Sequence, residues 1–154
     1  MTAVIYDHDR KQIATDSRLT RNGQITSDSS IKYIESGGRV YFFSGSVSDM
    51  ARSVEILDSS INGDVAGIKS PVDSGVIFYD KGNAFLAGIC DDGAVWEEEL
   101  FCNMGNGSGS QWALAALDHD KTAKQAIKYA ATKDAYTGGL TRVFDVIKGR
   151  FIRG

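Results

Sequence analysis

The chain has 154 residues, room for one domain with a substantial core (1–154) and too few for two large ones. Hydrophobic residues make up 42% and charged residues 24%, an ordinary globular balance that excludes fibrous and disordered classes. Lys and Arg number 17 against 20 Asp and Glu, for a formal net charge of −3; the basic excess that phosphate neutralisation demands is missing, so no nucleic-acid partner is expected.

The first element is a strand, Thr2-Ala3-Val4-Ile5-Tyr6, and beyond the polar turn 7–12 the run Ile13-Ala14-Thr15 is its expected hairpin partner. Further strands are expected around Ser30 to Ile34 and Arg39 to Ser44, the second entered through Gly37-Gly38. Ser46-Val47-Ser48-Asp49 has the Ser-x-x-Asp form of a helix start, and Met50, Val54, Leu57 and Ile61 follow at helical spacing. Ser59 to Ser74, holding the single proline Pro71, breaks the periodicity and reads as a connector. Strands return at Gly75 to Tyr79, Ala84 to Ile89 and Ala94 to Cys102, separated by turn chemistry suited to a meander. Trp112, Ala113, Ala116 and Leu117 then form an apolar helical face. A second helix opens at the capping box Thr122-Ala123-Lys124-Gln125. Thr141 to Ile147 and Arg150 to Ile152 close the chain as strands. This order predicts an α+β fold of two stacked antiparallel sheets with helices outside.

Cys90 and Cys102 lack metal-type spacing and are too few for a disulfide framework, so they read as small buried hydrophobes in a reducing compartment. No run approaches the roughly 18 apolar residues of a membrane helix, and no basic segment followed by an apolar run opens the sequence. A cytoplasmic protein without membrane contact is expected.

The chemistry-bearing residues sort quickly. His8 falls in a predicted turn and His119 in a helix connector, both read as solvated; Asp91-Asp92 and Glu97-Glu98-Glu99 read as a charged turn and a solvated strand face. The run Gly105-Asn106-Gly107-Ser108-Gly109-Ser110 looks like a phosphate cradle but has neither the lysine nor the spacing of one. Thr2 is different. Once Met1 is removed, one residue carries a hydroxyl and a free α-amine, and an amine that titrates at about 7.7–8.0 can serve as the hydroxyl's general base.

The sequence around Thr2 gives that chemistry a context. Thr2-Ala3-Val4-Ile5-Tyr6 followed by Ile13-Ala14-Thr15-Asp16-Ser17-Arg18-Leu19-Thr20 resembles the opening of proteasome β subunits and the bacterial HslV-type protease, members of the N-terminal nucleophile hydrolases. Lys32 lies sixteen residues after Asp16, as the family's lysine does after its aspartate, and Phe43-Ser44-Gly45-Ser46-Val47-Ser48-Asp49 resembles the family's turn into its first helix. Gly107-Ser108-Gly109-Ser110-Gln111-Trp112-Ala113 is similar to its Gly-Ser-Gly helix entry. Asp134-Ala135-Tyr136-Thr137-Gly138-Gly139 is similar to the Asp-Ala-Tyr-Ser-Gly-Gly box of its catalytic subunits. These landmarks span nearly the whole chain in order.

The resemblance implies a four-layer αββα sandwich and a threonine-type endopeptidase without a metal or other cofactor. Thr2 Oγ would attack the scissile carbonyl, with its own amine as base. Lys32 would favour the neutral amine and the developing alkoxide, and Asp16 would hold that lysine. The Gly45 N–H would meet the oxyanion. Ser108, Asp134 and Thr137 would orient the amine and its water. Thr20 and Val47 would pair with an extended peptide, while Leu19, Ser30, Ile34, Phe43 and Val47 would line a mainly apolar first specificity pocket. Implied partners are unfolded polypeptide or peptide substrates, further copies of the chain in a ring, and an ATP-dependent unfoldase.

Each of these residues also has a structural reading: Asp16 capping a turn, Lys32 on a strand surface, Gly45 at a helix entry, Ser108 as an N-cap. Three features depart from the family pattern. Ser46 replaces a glycine and Thr137 a serine. Only about twenty-five residues separate Asp49 from Gly75, so one helical layer is expected to be reduced, and unfoldase docking on that face is in doubt. While Met1 is attached, the Thr2 nitrogen is an amide and cannot act as a base. An amidohydrolase of small amides and an inactive shell subunit are the rival readings.

Overall fold

The computed structural model describes residues 2–45, 49–59 and 76–153. In chain order they form β1 (Val4–Asp7), β2 (Gln12–Thr15), β3 (Leu19–Arg21), β4 (Gln24–Ser27), β5 (Tyr33–Ser36) and β6 (Arg39–Phe42). There follow α1 (Met50–Ser59), β7 (Val76–Asp80), β8 (Asn83–Ile89), β9 (Val95–Glu99) and β10 (Met104–Asn106). The C-terminal part holds α2 (Ser110–Asp118), α3 (Ala123–Ala131), β11 (Arg142–Asp145) and β12 (Arg150–Ile152).

Two five-stranded antiparallel sheets carry the fold. The first has the order β10-β1-β2-β11-β12 and the second is the meander β5-β6-β7-β8-β9. Their apolar runs are continuous because both faces of the central strands are covered, and the period-two alternation decides which residue goes where. In the first sheet Val4, Tyr6, Ile13 and Phe144 point inward and meet Val40, Phe42, Ile77 and Leu86 of the second. Ala3, Ile5, Ala14 and Val143 point outward onto α2 and α3. In the second sheet Tyr41, Phe43, Val76 and Phe78 point away from the first and pack on Met50, Val54 and Leu57 of α1. The result is the expected αββα stacking.

Side-chain size sets the layer spacing. The α2–α3 layer contributes Ala113, Ala116, Ala123, Ala126 and Ala130 to its core, so the two helices approach closely. The sheet–sheet interior is aromatic: the Phe144 ring lies 5.7 Å from Phe42 and 5.1 Å from Phe151, both edge-on, contacts worth about 0.5–1.5 kcal/mol each beyond their buried area. The capping box of α3 forms as expected, with Gln125 N–H donating to Thr122 Oγ1 at 3.2 Å and Thr122 N–H to Gln125 Oε1 at 3.0 Å.

Several expectations are corrected. The hairpin β3–β4 was not expected, although its turn Asn22-Gly23, with φ of 52° and 76°, is strong hairpin chemistry. The strand expected over 94–102 ends at Glu99, and the chain then crosses to the first sheet, where Met104–Asn106 pairs with β1. Cys90 and Cys102 are exposed, because one follows the end of β8 and the other lies in that crossing. Trp112 is 37% exposed, set off the buried stripe of Ala113, Ala116 and Leu117. His8 is half-buried, not solvated, and its backbone N–H donates to Asn103 Oδ1 at 2.8 Å.

The expected helix start at Ser46 to Ser48, the continuation to Ile61 and nearly all of the connector lie outside the described residues. On the outer face of the second sheet α1 is the helix present among the described residues. No helix among them is long and apolar enough to cross a membrane.

Candidate active site

The β1–β2 register builds one half of the site. Val4 pairs with Thr15, so the ladder, continued by Asp16 N–H donating to Ala3 O at 3.2 Å, sets Asp16 across from Ala3 and beside Thr2. Thr2 is 1% exposed and Asp16 fully buried. The other half comes from the second sheet. Lys32 precedes β5, and its carbonyl accepts from Phe43 N–H at 2.9 Å, which ties it to the end of β6.

The three side chains converge. Lys32 Nζ donates to Thr2 Oγ1, and Thr2 Oγ1 donates to Asp16 Oδ1. Lys32 Nζ also meets Asp16 Oδ1 at 3.0 Å, with both side chains buried. Asp16 is held in turn by backbone, since Ala3 N–H reaches Oδ1 at 3.3 Å and Gly138 N–H reaches Oδ2 at 2.9 Å. Burial draws the Lys32 ammonium below the usual lysine value, against the opposing pull of Asp16. A hydroxyl that accepts from an ammonium and donates to a carboxylate is polarised in the direction an attacking oxygen needs.

A second cluster lies alongside. Ser108 Oγ donates to Asp134 Oδ2 at 2.6 Å and Thr137 Oγ1 donates to the same oxygen at 2.7 Å. Tyr136 N–H donates to Asp134 Oδ1 at 3.2 Å. Burial raises the Asp134 carboxyl, but the hydrogen bonds from Ser108, Thr137 and the Tyr136 backbone outweigh it and hold the group below the ordinary carboxylate range. Ser108 does not cap α2; its N-cap is Gly109, without a side-chain cap. The clusters are joined through backbone. Gly109 N–H donates to Thr2 O at 3.3 Å. Gly107, at φ +95°, lies so close to that carbonyl that a Cβ would collide with it.

Gly45 is exposed and has φ +100°. It follows Ser44, whose Cβ lies 3.3 Å from where a Cβ on Gly107 would stand, while a Cβ on Gly45 itself would meet nothing within 4 Å. Among the residues expected to bind substrate, Leu19, Thr20, Ser30 and Ile34 are half-buried, and Phe43 is buried against α1. Val47 lies outside the described residues. Gly138 and Gly109 carry no role in the sequence reading, where they stand only within their motifs; their N–H bonds to Asp16 and Thr2 depend on tertiary packing. Among the described residues no three His, Cys, Asp or Glu side chains stand close enough together to hold a metal.

No family model matches the chain, and no curated protein matches it significantly. Solved structures do. The chain superimposes on eukaryotic HslV from Trypanosoma brucei with a TM-score of 0.66 at 17% identity, over 92% of this chain and 97% of that one. The fold is that of HslV. BPH of Thiobacillus denitrificans matches the HslV-type fold of this chain equally, with a TM-score of 0.65 at 19% identity over 94% of this chain and 96% of the other. BPH solved in complex with epoxomicin gives 0.65 at 18% identity, over 94% and 97%. The HslV-type fold therefore extends along nearly the whole chain.

Proposed function

We propose that this chain is a single-domain, proteasome-like threonine peptidase whose nucleophile is Thr2 after cleavage of the Met1–Thr2 bond. The observation that carries the reading is the buried Thr2 hydroxyl, held between the Lys32 ammonium and the Asp16 carboxylate. A solvated terminal threonine would have neither partner.

In the proposed reaction Thr2 Oγ attacks the scissile carbonyl carbon and its proton passes to the free α-amine. Lys32 stabilises negative charge on Oγ, and the Gly45 N–H meets the carbonyl oxygen as it becomes an oxyanion, a contact worth about 2.7–4 kcal/mol where one has been removed. Collapse of the tetrahedral species breaks the C–N bond, and the amine returns the proton to the leaving nitrogen. Water, activated by the same amine, hydrolyses the ester and restores Thr2. Ser108, Asp134 and Thr137 orient amine and water. The substrate is an extended peptide or unfolded chain laid along Thr20 and Val47, with its side chain before the cut among Leu19, Ser30, Ile34 and Val47; Phe43, packed on α1, is left out of that lining. Copies of the chain close into a ring around the nucleophiles.

The test has two parts. The intact mass of the purified protein should be lower than that of the full chain by one methionine. Exposure to epoxomicin, the compound found with Thiobacillus denitrificans BPH, should then add one inhibitor mass at Thr2, and Thr2→Ala should take up none and hydrolyse no peptide. Equal peptide hydrolysis by Thr2→Ala and the parent would sink the proposal.

A further inference from the structure

Lys32 is not in a strand. The segment Asp28 to Ile31 before it has no regular ladder, and β5 begins only at Tyr33. A lysine whose ammonium must stay within hydrogen-bond reach of both Thr2 and Asp16 needs its backbone fixed by something else. One backbone bond, Ser30 N–H to Ser17 O at 3.0 Å, links this segment to the residue after Asp16.

Arg142, at the start of β11, supplies more. Its Nη1 donates to Ser17 Oγ at 2.7 Å and to Ser30 O at 2.8 Å, and its Nη2 donates to Ser29 O at 3.2 Å. Ser17 Oγ passes the constraint on by donating to Leu140 O. The guanidinium therefore bonds the residue after Asp16 and the carbonyls two and three positions before Lys32. Arg142 itself is fixed by the β2–β11 ladder, where it pairs with Thr15, the residue before Asp16. The guanidinium donates to a hydroxyl and two carbonyls, all neutral, arranged for a planar fork and not for a point charge.

We propose that Arg142 is a positioning residue for the candidate site, its guanidinium holding the Asp16 and Lys32 segments at the separation that Thr2 requires. It touches none of the reacting atoms and acts through the backbone of its neighbours. The inference rests on the proposed function, since only a reacting Thr2 makes that separation matter. Misplacing a catalytic group by about 1 Å costs on the order of a hundredfold in rate, so loss of this clamp is expected to slow the chemical step about tenfold or more.

The experiment measures epoxomicin capture by the Met1-trimmed protein over a range of inhibitor concentrations, separating the maximal rate constant kinact from the half-saturation constant KI. Arg142→Met is expected to lower kinact about tenfold with KI little changed. Guanidinium ion at non-denaturing concentration should restore part of the loss in Arg142→Met and leave the parent unaffected. A merely structural arginine would behave otherwise: fewer chains would be labelled, but those labelled would react at the parent's kinact, and that result overturns the proposal. If Arg142→Met does not fold, Arg142→Lys, which keeps the charge but loses the fork, should show a smaller drop in the same constant; parental kinact in Arg142→Lys also overturns it. Should the trimmed parent itself fail to capture epoxomicin, the proposed function falls and this inference with it. Capture by the parent with no change in the variants removes this inference alone.

Discussion

The backbone N–H of Gly138 donates to Asp16 Oδ2 at 2.9 Å, across 122 residues of chain. The bond joins the segment after α3 to the first hairpin at the one carboxylate that also holds Thr2 and Lys32. Asp16 is thus fixed from three directions, and the ammonium beside it cannot leave without stranding a buried charge.

That arrangement predicts unequal costs for removing either partner. Asp16→Ala leaves the Lys32 ammonium buried without its counter-charge and should destabilise by about 3–5 kcal/mol. Lys32→Met should cost less, because the carboxylate keeps the N–H groups of Ala3 and Gly138. Urea unfolding at pH 7 measures both, and an equal or larger loss in Lys32→Met would contradict this account.

The Lys32 ammonium also sets a pH dependence. Its folded value lies below the ordinary 10.5, chiefly through burial, so in the upper pH range the unfolded chain binds the proton more tightly than the folded one. Stability contributed by this group therefore rises as pH climbs from the folded value toward 10.5. Capture of Thr2 runs the other way: it should decline over an alkaline limb below pH 10.5 as the ammonium is lost. Lys32→Met should show lower capture throughout and no such limb, a comparison read from kinact against pH.

Asp134 behaves oppositely. Hydrogen bonds donated by Ser108 and Thr137 outweigh burial and hold its carboxyl below the ordinary 3.8. The stabilisation it provides is complete above that ordinary value and disappears as pH falls through the lower folded one. Parent and Asp134→Asn should differ in urea midpoint at pH 7 and converge once the parent's carboxyl is protonated; a gap of constant size down to strongly acidic pH would refute the assignment.

Gly107 tests how closely the helix entry must approach Thr2. Alanine there faces both a left-handed backbone conformation, a cost of order 1–3 kcal/mol, and collision of its Cβ with the Thr2 carbonyl. Gly107→Ala should lower the thermal midpoint and slow epoxomicin capture together. Gly82→Ala shares a positive φ but meets nothing within 4 Å, so it should lose stability only and keep the parent's capture rate.

Local patterns determined much of this protein from the sequence by itself. The two-sided apolar strands, the strand–helix–strand–helix–helix–strand order and the Thr122–Gln125 capping box are effects of residues a few positions apart, and such effects can be read along the chain. The family-like boxes likewise marked Thr2, Asp16, Lys32, Ser108, Asp134 and Thr137 as candidates. The hairpin at Asn22-Gly23 was legible too, but its flanking strands are short and polar, so their alternation carried little signal.

Only the tertiary structure decided the rest. That Met104–Asn106 crosses to pair with β1 depends on an open edge of the first sheet, which no local pattern encodes. Burial of Phe43 and exposure of Cys90, Cys102 and Trp112 depend on which faces become covered after the layers stack. The bonds that gather Thr2, Asp16 and Lys32, the Gly138 and Gly109 donors, and the Arg142 fork all link residues far apart in sequence. Hydrogen bonds act over about 3 Å in space, whatever the separation along the chain, so their partners exist only once the sheets and helices are in place.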